Sequence, residues 1–312
     1  MMANKLRVGV VGVGYLGRFH ALIYSRMDNV ELVGISDSDQ QQAEQVAAEA
    51  DTRVLSIEEM LDQVDAVNIV VPTTLHLKIA RPFLQKGVHM LLEKPISSTV
   101  EEGREIVDLA KESGAKLQIG HLERYNAGIM ALAEHIERPR FIDAQRMGGF
   151  KARATDVDVI SDLMIHDIDI IMSLIDSEIT SISASGTAVL TDHLDIANAR
   201  LEFANGAAAN VTASRISKED SRRIRVFEPK HYLSLDFIGQ RLERATAVPS
   251  KESEWDEIVS DVVDIDPVMP LDEELASFVD AIIYNKSPLV DGETGLKALD
   301  VALQIKQKIE SD

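Results

Sequence analysis

Along the first third of the chain, short apolar runs alternate with longer stretches whose apolar residues recur every three or four positions. The runs LRVGVV (6–11), ELVGISD (31–37), AVNIVV (66–71), HMLLE (89–93) and KLQIGH (116–121) predict buried strands. Between them RFHALIYSRM, QQAEQVAAEA, LHLKIARPFLQKG and TVEEGREIVDLAKESG predict helices, with Pro82 an awkward interior residue of the third. Regular alternation of this kind predicts a parallel, doubly wound α/β sheet over about 120 residues. The pattern changes near Leu122. From RFIDAQRMGGF onward β-type runs dominate (ITSISASGTAVL, HLDIANARLEFA, AAANVTASRIS, RRIRVFEP, HYLSLDF), joined by short turns such as ANG that favour antiparallel pairing. Two helices close the chain. The expected domains are therefore 1–122 and 123–312, with no internal repeat and no low-complexity linker.

One helix interrupts the second half. DLMIHDID, Asp162–Asp169, carries three carboxylates and a histidine among apolar residues. At roughly 100° per residue, Asp162, His166, Asp169 and Ser173 fall in one narrow stripe, which reads equally well as the solvent edge of a buried helix or as a functional face. Asp167 lies off the stripe among apolar positions and calls for a structural partner, because a lone buried carboxylate is costly.

Composition narrows the chemistry. The 312 residues, 45% hydrophobic, suffice for two domains with true cores. There is no cysteine, so disulfides, thiolate metal sites and thiol nucleophiles are excluded, and no metal site is expected. The N-terminal apolar run is a strand leading into a glycine turn rather than a signal sequence, and no run approaches the roughly 18 apolar residues of a membrane span; a cytoplasmic protein is expected. A net charge of -20 argues against nucleic acid as a partner. From Glu252 to Asp280 there is no lysine or arginine, which reads as a solvated acidic surface. The opposite bias sits in SRRIRVFEPKHY, where a strand would send Ile224 and Val226 one way and Arg223 and Arg225 the other, most simply to meet acidic neighbours.

The strand LRVGVV runs directly into GVGYLG. In that context Gly12 permits the turn, Gly14 lets the backbone approach a pyrophosphate, Gly17 lets helix and strand pack closely, and the helix N-terminus at Tyr15 and Leu16 offers amide donors. Asp37 ends the second strand twenty positions after Gly17, placed to accept from an adenosine ribose and to repel a 2′-phosphate. NAD is the expected cofactor, although Asp37, Ser38 and Asp39 could also be turn or capping residues.

The stretch LLEKPISSTVEEGREIVDLAKESG carries a more specific resemblance. Glu93, Lys94 and Pro95 at a strand end resemble the EKP signature of the Gfo/Idh/MocA oxidoreductases, and the likeness extends from GVGYLG through VPTTLH to DGETGLKALDVALQIKQ. That resemblance implies an N-terminal Rossmann domain and a C-terminal α/β domain with a large, mostly antiparallel open sheet that commonly mediates homo-oligomers, here a dimer or tetramer. It also implies that Lys94 lies near the nicotinamide and the reacting hydroxyl, with Pro95 fixing the elbow and a cis bond as one way to do so. In members that oxidise sugars or polyols an aspartate and a histidine lie four apart on a helix of the second domain, and Asp162 and His166 match. His166 is then the expected general base, Asp162 its orienting partner and Lys94 the cation beside the developing alkoxide. Pro72, His76 and Glu93 join the cofactor side; His121, Arg124, Asn126, Arg153 and Arg215 are expected on the substrate side, with Arg146 and Lys151 as further cations for a diphosphate. The wording QRMGGFKARATDVDVISDLMIHDIDIIMSL resembles a subgroup acting at C3 of UDP-N-acetylglucosamine in lipid A diversification. Inositol or free-sugar oxidation, reduction in the opposite direction, and a non-catalytic NAD-responsive binding protein are the alternatives.

Overall fold

A computed structural model describes residues 5–150, 157–250 and 254–311. The chain divides into two compact units, one of Met1–Leu122 with Met269–Leu299, the other of Glu123–Val268 with Asp300–Asp312.

The first unit follows the predicted alternation: β1 (Leu6–Val11), α1 (Tyr15–Tyr24), β2 (Val30–Ser36), α2 (Gln40–Glu49), a short α3 (Ile57–Met60), β3 (Ala66–Ile69), α4 (His76–Gln85), β4 (His89–Glu93), α5 (Val100–Ser113) and β5 (Leu117–Gly120). All five strands are parallel, in the order β2-β1-β3-β4-β5. Strand order reverses between β1 and β3, so the ligand crevice of such a sheet opens at the carboxyl ends of these strands. Helix α4 continues through Pro82. Thr99 caps α5 by accepting from the Glu102 amide, and Gly114 ends it at a left-handed φ of 73°.

The second unit opens with α6 (Ala127–Glu134) and β6 (Phe141–Met147). A turn of π-helix (Ile160–Met164) then leads into α7 (Ile165–Leu174). Strands β7 (Ile179–Thr187), β8 (Ile196–Phe203), β9 (Ala208–Ser214), β10 (Ser221–Glu228), β11 (His231–Asp236), β12 (Arg241–Val248) and β13 (Glu257–Val263) complete an eight-stranded sheet, ordered β13-β12-β11-β10-β6-β9-β8-β7. Every neighbouring pair is antiparallel except β6 with β9. Alternation along β8 buries Ala197, Ala199, Leu201 and Phe203 on one face. On β10, Ile224 and Val226 are buried while Arg225 pairs with Asp143.

The chain returns to the first unit with α8 (Pro270–Ile283), and the division between units falls within α9 (Gly292–Ser311). The expected single domain 123–312 is corrected here. Leu275, Phe278 and Val279 of α8 share one core with Val8, Val10 and Tyr24, and truncating a buried phenylalanine such as Phe278 costs about 3–5 kcal/mol. Two strands and this helix lie in or beside the acidic run read as wholly solvated. The reading holds for β13, whose side chains are largely exposed, but Glu274 in α8 is completely buried.

Candidate active site

The glycine turn after β1 is held through both backbone groups of one residue, Val13. Asp37 Oδ2 accepts from the Val13 amide at 2.7 Å, and the Val13 carbonyl accepts from Gln42 Nε2 at 2.9 Å. Asp37 Oδ1 accepts from the Asp39 amide at 2.9 Å, so its turn role and its place beside the glycine turn coexist. Gly12 has φ +86°, and a Cβ there would lie 2.3 Å from the Val70 carbonyl oxygen; at Gly17 it would lie 1.9 Å from the Gly12 oxygen. Gly14 is different. A Cβ there meets nothing within 4 Å, so the protein's own packing does not demand glycine, whereas a phosphate drawn close to the backbone would. Helix α1 begins at Gly14 without a side-chain cap or acidic residue in its first turn, Tyr15 is exposed and Leu16 is half-buried. These residues fit a dinucleotide pyrophosphate.

Across the crevice edge, Pro72 is exposed and precedes a tight turn at Thr73–Leu75. His76 is buried, its ring between the carbonyls of Val71 (3.0 Å) and Ile96 (3.3 Å), where burial lowers its pKa. It therefore ties the loop after β3 to the elbow after β4 instead of projecting into the crevice. At that elbow the Lys94–Pro95 bond is cis, and Lys94 is half-buried at the carboxyl end of β4. The preceding Glu93 accepts from the Lys94 amide at 3.3 Å and lies against Gly120 of β5, where a Cβ would be 2.9 Å from the carboxylate. Burial lifts Glu93 to a pKa of about 7, with Lys94 pulling the other way. His121, just past β5, is buried.

In the second unit, the segment carrying Asp162 and His166 is fixed at several points. Asp158 accepts from the Ser161 amide at 2.8 Å and pairs with Lys306 at 2.9 Å, anchoring the entry to the π turn. Such a turn widens the helical spiral, so the even 100° spacing assumed from the sequence does not hold through Asp162. Asp162 and His166 are both half-buried. Asp167 has the structural partner its apolar setting called for, Arg146, which also reaches Glu123 at 2.7 Å. Asp169 is not at a solvent edge: it is 2% exposed and pairs with Arg124 at 3.4 Å. Asn126 caps α6, accepting from the Gly128 amide.

Two cations expected to meet a diphosphate are corrected. Arg146 is 4% exposed within its carboxylate pair, and Arg215 is 8% exposed, donating to the carbonyls of Val157 and Leu194 beside Asp195. Asp195 in turn accepts from the amides of Val189, Leu190 and Thr191; burial works against its charge, but these donors hold its pKa below the usual carboxylate range. Arg215 thus ties together two neighbouring segments of the second unit, which the Val159 amide also joins by donating to the Leu194 carbonyl. Arg153 and Lys151 lie outside the described residues. Among the described residues no cluster of histidines and carboxylates could hold a metal ion.

Sequence reasoning missed His20, Asn68, Glu123, Asp158, Asp195 and Glu274. A signal existed for Asn68, the one polar residue in an otherwise apolar strand run, and for His20 on the buried side of α1.

The first unit thus supplies an amide-lined helix end with a lysine at a strand terminus, and the second a histidine and an aspartate on one anchored helix. Residues 6–121 match the family profile of the oxidoreductase family with an NAD-binding Rossmann fold, and residues 132–233 match the GFO/IDH/MocA C-terminal domain. The chain is 38% identical to UDP-N-acetylglucosamine 3-dehydrogenase of Acidithiobacillus ferrooxidans, covering 98% of each chain. A solved structure of that enzyme superposes with a TM-score of 0.93 over 99% of each chain at 36% identity. The chain is also 29% identical to scyllo-inositol 2-dehydrogenase (NAD(+)) of Bacillus subtilis, over 93% of this chain and 90% of the other. A Rossmann sheet with its glycine cradle, an EKP elbow and a large mostly antiparallel second sheet, matched by these profiles, place the chain in the Gfo/Idh/MocA family of NAD-binding oxidoreductases.

Proposed function

We propose that the protein oxidises the C3 hydroxyl of UDP-N-acetylglucosamine to a 3-keto nucleotide sugar. The observation that carries this reading is the match to the Acidithiobacillus enzyme over 98% of both chains at 38% identity, closer than the 29% identity to the inositol dehydrogenase. Bound NAD supplies the hydride acceptor. His166 takes the hydroxyl proton, Asp162 orients the imidazole and favours its charged form, and Lys94 stabilises the developing alkoxide. Gly12, Gly14, Tyr15, Leu16, Gly17, Asp37 and Pro72 border the cofactor, with His76 and Glu93 holding the loops it meets. His121, Arg124 and Asn126 serve the substrate, the latter two by shaping the start of the second unit. With Arg146 and Arg215 committed internally, the diphosphate is left to other cations, among them Lys151 and Arg153.

The 3-keto product is what an aminotransferase would consume, as in lipid A diversification. Cofactor and nucleotide sugar are both cytoplasmic metabolites, and we assign the enzyme to that compartment. A homo-oligomer is supported by the exposed apolar side chains of Ile258, Val259 and Val262 on edge strand β13. The test is incubation with NAD and UDP-N-acetylglucosamine in the presence of a carbonyl trap or an aminotransferase, with the product position read by NMR. A trapped 3-keto nucleotide sugar supports the reading. Robust turnover of inositol or a free sugar with no such product overturns it.

A further inference from the structure

Beneath the EKP elbow runs a buried polar chain that the proposed chemistry does not use, lying entirely within the first unit. The Tyr24 hydroxyl donates to Asn68 Oδ1 at 2.9 Å, so the Asn68 amide nitrogen faces His20 Nδ1, also at 2.9 Å, as donor. His20 must then carry its proton on Nε2, which lies 3.5 Å from Glu93 Oε1 without a formed hydrogen bond. Glu93 Oε2 receives the Lys94 amide, and bare Gly120 leaves room for the carboxylate to lie flat across β5. From α8 comes a second carboxyl group. Glu274 is 0% exposed, neither of its side-chain oxygens has a hydrogen-bond partner among the described residues, and Glu93 acts on it electrostatically. Gln118 Nε2 holds the Glu274 carbonyl at 3.2 Å, fixing where this residue enters the core.

Glu274 is fully buried and the Glu93 side chain only 12% exposed, so the two interacting carboxyl groups do not both ionise at low cost, and the least costly state of the pair carries one proton. The surroundings decide which member keeps it. Glu93 faces the His20 Nε2–H, the Lys94 amide and the Lys94 ammonium, all of which favour an anion. Glu274 faces Glu93 and Tyr24, neither of which does. We infer that Glu274 is a positioning residue for the elbow: as a neutral acid it leaves the pair's single negative charge on Glu93, which fixes Lys94 and keeps it cationic. Burial raises both groups, and Glu274 lies well above the usual carboxylate range, in keeping with this division. The inference rests on the role proposed for Lys94, since an elbow charge matters to turnover only if that lysine meets the alkoxide.

The experiment compares wild type, Glu274→Gln, Glu274→Leu and Lys94→Met as full chains. Infrared spectra at about pH 9, above the titration of Glu93, should show the carbonyl stretch of a buried protonated acid in wild type, and it should vanish in Glu274→Gln. The pH profile of kcat/KM, measured with UDP-N-acetylglucosamine under trapping, should be kept by Glu274→Gln. Glu274→Leu, uncharged like the neutral acid it replaces, should keep it too, with NADH affinity unchanged. A wild-type spectrum without the band, a band that survives Glu274→Gln, or an acid limb that moves up by about one pH unit, a tenfold loss, in either variant overturns the inference. If Glu274→Leu does not fold, the infrared comparison with the isosteric glutamine variant decides alone. Wild-type turnover by Lys94→Met refutes the lysine's role instead, and leaves the infrared result on Glu274 standing.

Discussion

Arg146 holds Asp167 in a fork, Nε to Oδ2 at 2.9 Å and Nη2 to Oδ1 at 3.0 Å, with both side chains buried. This pair locks α7 onto β6, and with it the frame that carries His166. Planar bidentate pairing of this kind is specific to arginine. Arg146→Met strands Asp167 and Glu123 as uncompensated carboxylates, and the expected loss is about 3–5 kcal/mol in urea unfolding. Arg146→Met with Asp167→Leu should recover a large part of that loss. Full additivity of the two substitutions would show that they do not act as a pair.

His166→Asn should lower turnover by roughly 10²- to 10⁴-fold, the usual contribution of a positioned base, while NADH affinity stays near wild type. Asp162→Asn should be damaging but less so. Steady-state kinetics and NADH fluorescence titration measure the two effects separately. Wild-type rates in His166→Asn would transfer the base role to Lys94.

Cofactor choice should follow Asp37. A carboxylate that already holds the Val13 amide lies where a 2′-phosphate would bring like charge, so NADH should bind more tightly than NADPH in parallel titrations. Asp37→Ser should narrow the gap and also weaken NADH, because the glycine turn loses its anchor. Tighter NADPH binding by the wild type would refute this assignment.

Stability should carry the signature of His20. Burial lowers its pKa from 6.5 to about 3, so between those values the unfolded chain binds more protons than the folded one. Its contribution is fully present above pH 6.5 and is lost as pH falls towards about 3, at up to about 1.4 kcal/mol per pH unit. Glu274 has the opposite sign: its folded pKa is raised from 4.5, so its burial costs more as pH rises above that value. Relative to wild type, His20→Asn should therefore gain stability towards acid and Glu274→Gln towards alkali. Thermal melts across pH 4.5 to 9 would show two difference curves of opposite slope, and parallel curves would contradict both assignments.

The parts of this molecule visible in the sequence are those whose signals are local. The strand, glycine turn and helix at 6–24 need only neighbouring residues, and Lys94 and His166 lie in short recognisable words. What escaped depends on distant partners. Arg146 and Arg215 looked available to a ligand because a sequence does not reveal that Asp167, Glu123 and Asp195 will meet them inside a core. Asp169 was placed on a polar stripe that could be a solvent edge or a functional face, because nothing local shows that Arg124 meets it in the interior. Strands β12 and β13 were hidden because neither shows apolar alternation: β13, at the sheet edge, is mostly exposed, and β12, paired on both sides, is half-buried along most of its length. Glu274 sat in a long acidic run, where nothing marks one carboxylate as destined for the interior.

The return of Met269–Leu299 to the first unit bears on how the protein is made. A ribosome that has released residue 122 has delivered all five strands of the parallel sheet, yet Leu275, Phe278 and Val279, which fill part of their core, are still about 150 codons away. At typical rates of roughly 5–20 residues per second, the nascent nucleotide-binding half waits on the order of ten seconds or more with an apolar face uncovered. Synthesis therefore does not finish the N-terminal half first. A fragment ending at residue 122 should be poorly soluble, and adding 269–299 in trans should protect it.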